Sequence, residues 1–317
     1  GANVFFSASG AAPANQRDMA LGANMALNSL TVDGNSGSPV NTSPVSISSA
    51  GGYTLTLGSG AGAGIFVNSG SGQVTVNTPV VMGANQTWSN NSGSALTVNG
   101  AVSGSASLTK SGTGLLVLAG ANTYSGTTTV SQGTLRLGAA TGLPSNNNIT
   151  VASGATFDFN GQGNSTTRNY NFTISGTGVG GQGAINNTSG TAIYGNSSLA
   201  SLTLAGNASI GTNGRWDIGD GSAGRTLNGG GFALTKVGTG EITFRPQTVS
   251  NLAAVNINAG ILKFEGFDQT TGATSGMTVT TNTGGTLSSY GNRSFNMPLV
   301  FAGGSMANES GTANWSG

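Results

Sequence analysis

The chain has 317 residues, with 10 basic and 9 acidic side chains, charged residues at 6%, no histidine and no cysteine. Soluble domains usually carry about 25% charge, so this balance excludes a basic nucleic-acid-binding face. It also excludes histidine-based catalysis and metal ligation, disulfides and thiolate metal sites. Only 7 prolines among many Val, Ile and Thr argue against disorder, and no apolar run reaches the ~18 residues of a membrane-spanning helix.

In chain order, residues 16–30 form the best helical window, but Gly22 interrupts it. From there on the period is two. The segments 53–57 (YTLTL), 73–76 (QVTV), 95–98 (ALTV), 129–130 (TV), 134–137 (TLRL) and 148–151 (NITV) alternate apolar residues with Thr, Ser or Asn. The series continues through 155–159 (ATFDF), 171–174 (NFTI), 201–204 (SLTL), 215–218 (RWDI), 241–244 (EITF), 255–258 (VNIN) and 277–280 (MTVT). This is the pattern of half-buried strands, punctuated by Gly-Asn, Asn-Gly and Ser-Gly pairs that suit tight turns. An all-β chain of this spacing fits a sandwich, a barrel or a solenoid. Low charge, outward Thr, Ser and Asn suited to hydrogen-bonded ladders, and the lack of any linker favour a right-handed parallel β-helix. The expectation is one continuous solenoid over 1–317, a single elongated rod. With rungs of about 22 residues it would make roughly 14 turns over ~70 Å.

An internal repeat supports this architecture. Residues 108–137 read LTKSGTGLLVLAGANTYSGTTTVSQGTLRL, and residues 234–264 read LTKVGTGEITFRPQTVSNLAAVNINAGILKF. The first copy carries Lys110, Gly112, Gly114, Asn122, Tyr124, Gly126, Gly133 and Leu135. The second retains Lys236, Gly238, Gly240, Gly260 and Leu262 but replaces the Asn-Thr-Tyr-Ser-Gly turn. On these residues the chain resembles the autotransporter-associated β-strand repeat, also called the passenger-associated transport repeat, of bacterial type V surface proteins. The resemblance implies a parallel β-helix, export to the cell surface, and a repeat that assists passenger translocation and folding. It implies no catalysis, and it places any outer-membrane barrel outside this chain. The start at Gly1, without a methionine or a charged leader, reads as a processed or excised piece.

The chemistry available is sparse. The carboxylates are Asp18, Asp33, Asp158, Asp217, Asp220, Glu241, Glu265, Asp268 and Glu309. Glycoside hydrolysis needs a pair of them roughly 5–10 Å apart. Only Asp217 and Asp220 are close in sequence, and with Trp216 they are weak surface candidates. The competing reading turns Trp216 and Ile218 inward and lets Arg and Asp neutralise each other outside. The glycine runs lack the aspartates of a calcium nonapeptide repeat and the lysine of a phosphate loop, so no catalytic, metal or cofactor site is expected. The aromatics Trp88, Trp216, Trp315, Tyr53, Tyr124, Tyr170, Tyr194 and Tyr290 either fill the core or line one outer face as a sugar platform. The leading expectation is a non-catalytic extracellular structural protein, a β-helical passenger or stalk that either polymerises head to tail with itself through uncapped ends or holds an adhesive tip away from the cell. The alternatives are a glycan-binding adhesin and a carbohydrate-active enzyme.

Overall fold

The computed structural model describes residues 2–7, 18–34, 43–58, 60, 62–163, 168–194, 199–219, 225–245, 248–265, 277–291, 293–295 and 297–315. Asp220 and Asp268 lie outside the described residues. The chain divides into two compact units, residues 1–147 and 148–317, and each is a parallel β-solenoid.

In residues 1–147 three ladders of parallel strands recur. The first runs through Asp18–Ala20, Val45–Ser48, Val74–Val76, Leu96–Val98, Leu115–Leu118 and Thr134–Leu137. The second starts in Met25–Asp33 and continues through Leu55–Leu57, Val80–Met82 and Val102–Ser103. The third joins Ala2–Ser7, the latter part of Met25–Asp33, Gly64–Val67, Gln86–Asn90, Leu108–Ser111 and Thr128–Val130. The window 16–30 is thus extended where it is described, as Asp18–Ala20 and Met25–Asp33, because pairing with neighbouring rungs overrides a weak helical period.

Residues 148–317 follow the same logic. One ladder stacks Asn148–Val151, Tyr170–Gly176, the start of Leu199–Thr212, Thr226–Asn228 and Thr248–Ser250. A second stacks Thr156–Asp158, Ile185–Asn187, the end of Leu199–Thr212, Ala233–Val237, Ala254–Ile257, Thr278–Asn282 and Leu299–Ala302. A separate five-stranded sheet contains Trp216–Ile218, Glu241–Phe244, Gly260–Phe264, Gly285–Ser289 and Ser305–Asn308.

The alternation read from the sequence sets the core. In 1–147, Val74 and Val76 stack on Leu96 and Val98, which stack on Leu116 and Leu118, all fully buried. Burying each such side chain contributes about 1.5–3 kcal/mol, and no rung can do so without the rungs on either side of it. Thr75, Thr97 and Val117 face outward between them. In 148–317 aromatic side chains fill the interior. Phe157, Phe159, Phe172, Tyr170 and Trp216 meet in edge-on or tilted contacts with centroids 5.1–6.3 Å apart.

Outside, the polar residues form the expected ladders. Asn99 donates to Asn77 at 2.8 Å and Asn77 to Ser46 at 3.2 Å. Asn171 donates to Asn148 at 3.0 Å, and Ser201 to Asn171 at 2.8 Å. The rungs are unequal rather than uniformly near 22 residues. Hydrogen-bonded neighbours are 19 residues apart at Thr286 and Ser305, 20 at Val102 and Asn122, and 30 at Asp158 and Thr188.

Candidate functional site

Two groups of residues carry chemistry, the repeat motif and a charged outer face. In the motif, Lys110 and Lys236 occupy inward positions on their strands and are fully or almost fully buried. Lys110 Nζ donates to the carbonyls of Ser111 (2.7 Å), Gly112 (2.7 Å) and Gln132 (3.0 Å). Lys236 Nζ repeats the arrangement at Val237 (3.0 Å), Gly238 (2.7 Å) and Ala259 (2.9 Å). Each lysine therefore closes its own Gly-Thr-Gly turn and fastens it to the turn of the next rung. All three ammonium donors are used, and burial pushes each lysine down to about 8.

The motif glycines stand where rungs come closest. Gly133 and Gly260 have φ of 66° and 65°, and a methyl on either would overlap the carbonyl oxygen of Gly112 or Gly240 on the rung before. Gly112, Gly114, Gly126, Gly238 and Gly240 are likewise closed in by the backbone of the preceding rung. Leu135 and Leu262 are buried. Asn122 bridges rungs on both sides: its Oδ1 accepts the Val102 N–H at 2.7 Å and its Nδ2 donates to the Gly142 carbonyl at 2.6 Å. Tyr124 is buried with its hydroxyl 2.7 Å from Thr128 Oγ1.

The charged face lies on the outside of the five-stranded sheet. Trp216 and Ile218 point inward and are buried, so Trp216 is not a surface residue. Asp217, also expected at the surface, is only 1% exposed. Its burial follows from bidentate pairing with Arg215 at 2.8 and 3.2 Å and from the Arg245 guanidinium 3.6 Å away. The sequence neighbour Asp220 being outside the described residues, the carboxylates that accompany Asp217 come from later rungs. Glu241 lies 3.7 Å from Arg215 and 2.8 Å from Lys263. Glu265 pairs with Arg245 at 2.6 Å, and Glu309 with Lys263 at 2.8 Å.

Register explains this gathering. Asp217, Thr243, Lys263, Ser288 and Ala307 are stacked partners on successive strands. The residues two positions before and after them, Arg215, Glu241, Arg245, Glu265 and Glu309 among them, share the same outward side. Each rung contributes only one or two of these charges, so a local sequence scan misses the cluster. Aligning the rungs at the glycine before each strand (GRWDI, GEITF, GILKF, GTLSS) would have revealed it.

The charged forms of Arg215, Lys263 and Glu309 are favoured. The hydrogen bond from Arg215 to Asp217 raises the arginine further, against desolvation. Desolvation pulls Lys263 down, but its hydrogen bonds and charge contacts with Glu241 and Glu309 outweigh it and the net shift is upward. Desolvation pushes Glu309 up, and the Lys263 hydrogen bond and charge, Ser288 and Arg215 together bring it below the usual carboxylate range. A general acid needs the opposite shift. Among the described residues no group of three or more Asp or Glu is arranged to hold a metal ion. Two tyrosines border the face. Tyr194, 60% exposed, has the Arg215 guanidinium 5.3 Å from its ring centroid, and Tyr290, 46% exposed, follows the strand Gly285–Ser289. Trp88, Tyr124 and Tyr170 are core residues, and Tyr53 is exposed in residues 1–147.

The fold and the turn staples define a repeat solenoid of stacked parallel rungs. Residues 108–137 match the passenger-associated-transport-repeat family, so the chain carries an autotransporter-type passenger repeat. Over 131 residues it is 31% identical to the Adhesin BmaC autotransporter of Brucella suis biovar 1 (strain 1330), an alignment covering 41% of this chain. The chain spans about 4% of that relative's length. No solved structure matches.

Proposed function

We propose that this chain is a non-catalytic, exported structural segment of a bacterial surface passenger. The observation that carries the reading is how the motif is used. Lys110, Lys236, Asn122 and the motif glycines all serve rung-to-rung joining, which is what a load-bearing shaft requires. The carboxylates of the charged face are committed to cations, which supports a mechanical role over a hydrolytic one. A panel of bacterial and host polysaccharides incubated with pure protein tests this, and no release of reducing ends is expected. Hydrolysis that disappears in both Asp217→Asn and Glu309→Gln variants would overturn it.

A second reading, adhesion, is favoured by the exposed Tyr194 and Tyr290 beside the charged face and by the relative described as an adhesin. Self-association is a further proposal. Val300, Phe301 and Met306, on strands Leu299–Ala302 and Ser305–Asn308, are 45–53% exposed, and such apolar edge strands invite pairing. Electron microscopy across a concentration series separates the two: fibres of uniform width support head-to-tail assembly, and discrete particles at every concentration oppose it.

A further inference from the structure

We propose that Asn213 is a site of self-modification: in the folded chain its side chain cyclises onto the following nitrogen and opens to isoaspartate, loosening the joint on which the second motif copy is seated. Four Asn-Gly pairs occur in the sequence, Asn99–Gly100, Asn160–Gly161, Asn213–Gly214 and Asn228–Gly229. Glycine after asparagine puts no side chain in the way of ring closure, so all four share the same intrinsic chemistry. The fold treats them differently. The Gly100 N–H donates to the Val76 carbonyl at 3.1 Å, the Gly161 N–H to Asn187 Oδ1 at 2.7 Å and the Gly229 N–H to the Ser250 carbonyl at 2.7 Å. Among the described residues the Gly214 N–H has no hydrogen-bond partner, and Asn213 is exposed.

The two motif copies show how this difference arises. The rung before each copy supplies its seat. Gly112 and Gly114 lie against Asn90 and Ser92, and Gly238 and Gly240 lie against Thr212 and Gly214, so Asn213 stands where Asn91 does. In the first seat the nitrogen after the asparagine is taken: the Ser92 N–H donates to Asn90 Oδ1 at 2.9 Å, and Ser92 is buried. In the second seat Thr212 replaces Asn90. Its hydroxyl donates to the Gly214 carbonyl at 2.8 Å instead, which leaves the Gly214 nitrogen open. Asn213 itself is held by its N–H on the Asn187 carbonyl and its Nδ2 on the Thr188 carbonyl, each at 3.0 Å. Ring closure has to break the second of these, a solvent-exposed bond.

The step balances with water and hydroxide alone. Hydroxide takes the Gly214 amide proton and Gly214 N attacks Asn213 Cγ. The N–Cγ bond forms as the Cγ–Nδ2 bond breaks, and the amide nitrogen leaves as ammonia with a proton from solvent. Water then adds to a carbonyl of the cyclic imide. Opening at the backbone carbonyl of Asn213 sends the chain through Cγ, with one extra methylene in the backbone and a free carboxylate beside it. The next rung has no room for that extra length. A methyl on Gly240 would overlap the Gly214 carbonyl oxygen, and the Gly240 N–H donates to the Thr212 carbonyl at 2.9 Å. Lys236 closes the same Gly-Thr-Gly turn through the Gly238 carbonyl. The modification therefore strikes the seat of a lysine-closed turn, and the proposal stands independently of the role assigned to the whole chain.

The test is to hold the full chain at mildly alkaline pH, in native buffer and in concentrated urea, and to follow all four pairs by peptide mass spectrometry with fragmentation that separates isoaspartate from aspartate. In the folded chain Asn213 should convert about tenfold faster than Asn99, Asn160 or Asn228, each of which must first free a bonded glycine N–H. In urea the four rates should converge. The aged fraction, separated by ion exchange on its added negative charge, should unfold at a lower urea concentration than fresh protein. Asn213→Asp adds the charge without the methylene and should unfold close to the wild type, and Asn213→Gln should remove the early-ageing species. Equal rates at all four pairs in the folded chain, a lead for Asn213 that persists undiminished in urea, or an aged fraction that unfolds together with fresh protein would overturn the proposal.

Discussion

Lys110 and Lys236 are buried with their ammonium groups on main-chain carbonyls, and the energetics of that burial make a sharp test. Below about pH 8 the Lys110 and Lys236 amines are protonated whether the chain is folded or not, and burial opposes folding in full. Between about 8 and 10.5 the unfolded chain keeps a proton that the folded chain has released, so stability rises with pH. The full difference is about 3 kcal/mol per lysine. Tyr170 closes the window from above: desolvation raises it in the fold despite Arg168, so above pH 10 the unfolded chain ionises first and stability falls again. Lys→Met at both sites orphans carbonyls at about 1 kcal/mol or more each while relieving ammonium burial, so the two effects nearly cancel at neutrality. The pH slope is therefore the observable. Denaturant midpoints of the wild type should climb from pH 8 to 10, and those of the K110M/K236M double variant should stay flat. Asn122→Ala has no such compensation. It strands the Val102 N–H and the Gly142 carbonyl in the interior and should cost about 2–3 kcal/mol in equilibrium unfolding.

At the scale of elements, the charged face fixes one strand against the next. Columns of Thr, Ser and Asn look alike from rung to rung and specify register weakly. Alternating charges do so strongly, because a two-residue slip along the strands in one direction would set Asp217 against Glu241 and Arg245 against Lys263. Lys263 is the centre of this arrangement, held between Glu241 and Glu309. Removing it as Lys263→Met leaves a half-buried Glu241 facing no ammonium and should cost about 3 kcal/mol. Glu309→Gln, on the exposed rim, should change stability by less than about 1 kcal/mol. Urea titrations of the two variants check the ranking. The Glu309 contribution is present above the ordinary carboxylate range and is lost as pH falls through its lowered value, so it belongs to the acid limb. Most of the strands read from the sequence lie within a residue or two of their observed bounds, and 134–137, 148–151 and 241–244 coincide with them, but 201–204 is only the first part of Leu199–Thr212. The failures are places where cover arrives from far along the chain. Thr156 and Asp158 read as outward, yet both are buried. Thr156 accepts the Val179 N–H and donates to the Gly183 carbonyl, and Asp158 accepts from the Thr188 N–H and hydroxyl. The ionic cluster escapes a local reading for the same reason, since only the register of rungs aligned at their glycines brings Asp217, Glu241, Lys263 and Glu309 to one surface.

At the scale of the molecule, stability is distributed over many equivalent joints rather than concentrated in one core. Each unit gains from every added rung, and each rung depends on its neighbours. The same economy governs where the lysines sit. Lys110, Lys236 and Lys263 are all the lysines of this sequence, and all three are buried. A lysine-specific protease should leave the native chain uncut at these residues over hours and cleave it promptly in denaturant, as gel electrophoresis of timed samples would show. One consequence concerns covalent chemistry. Apart from any terminal amine, the folded surface presents no primary amine to acylating or aldehyde reagents. Amine-directed cross-linkers and fluorophores should pass this protein by, and an immobilisation strategy for it would have to begin from an engineered handle.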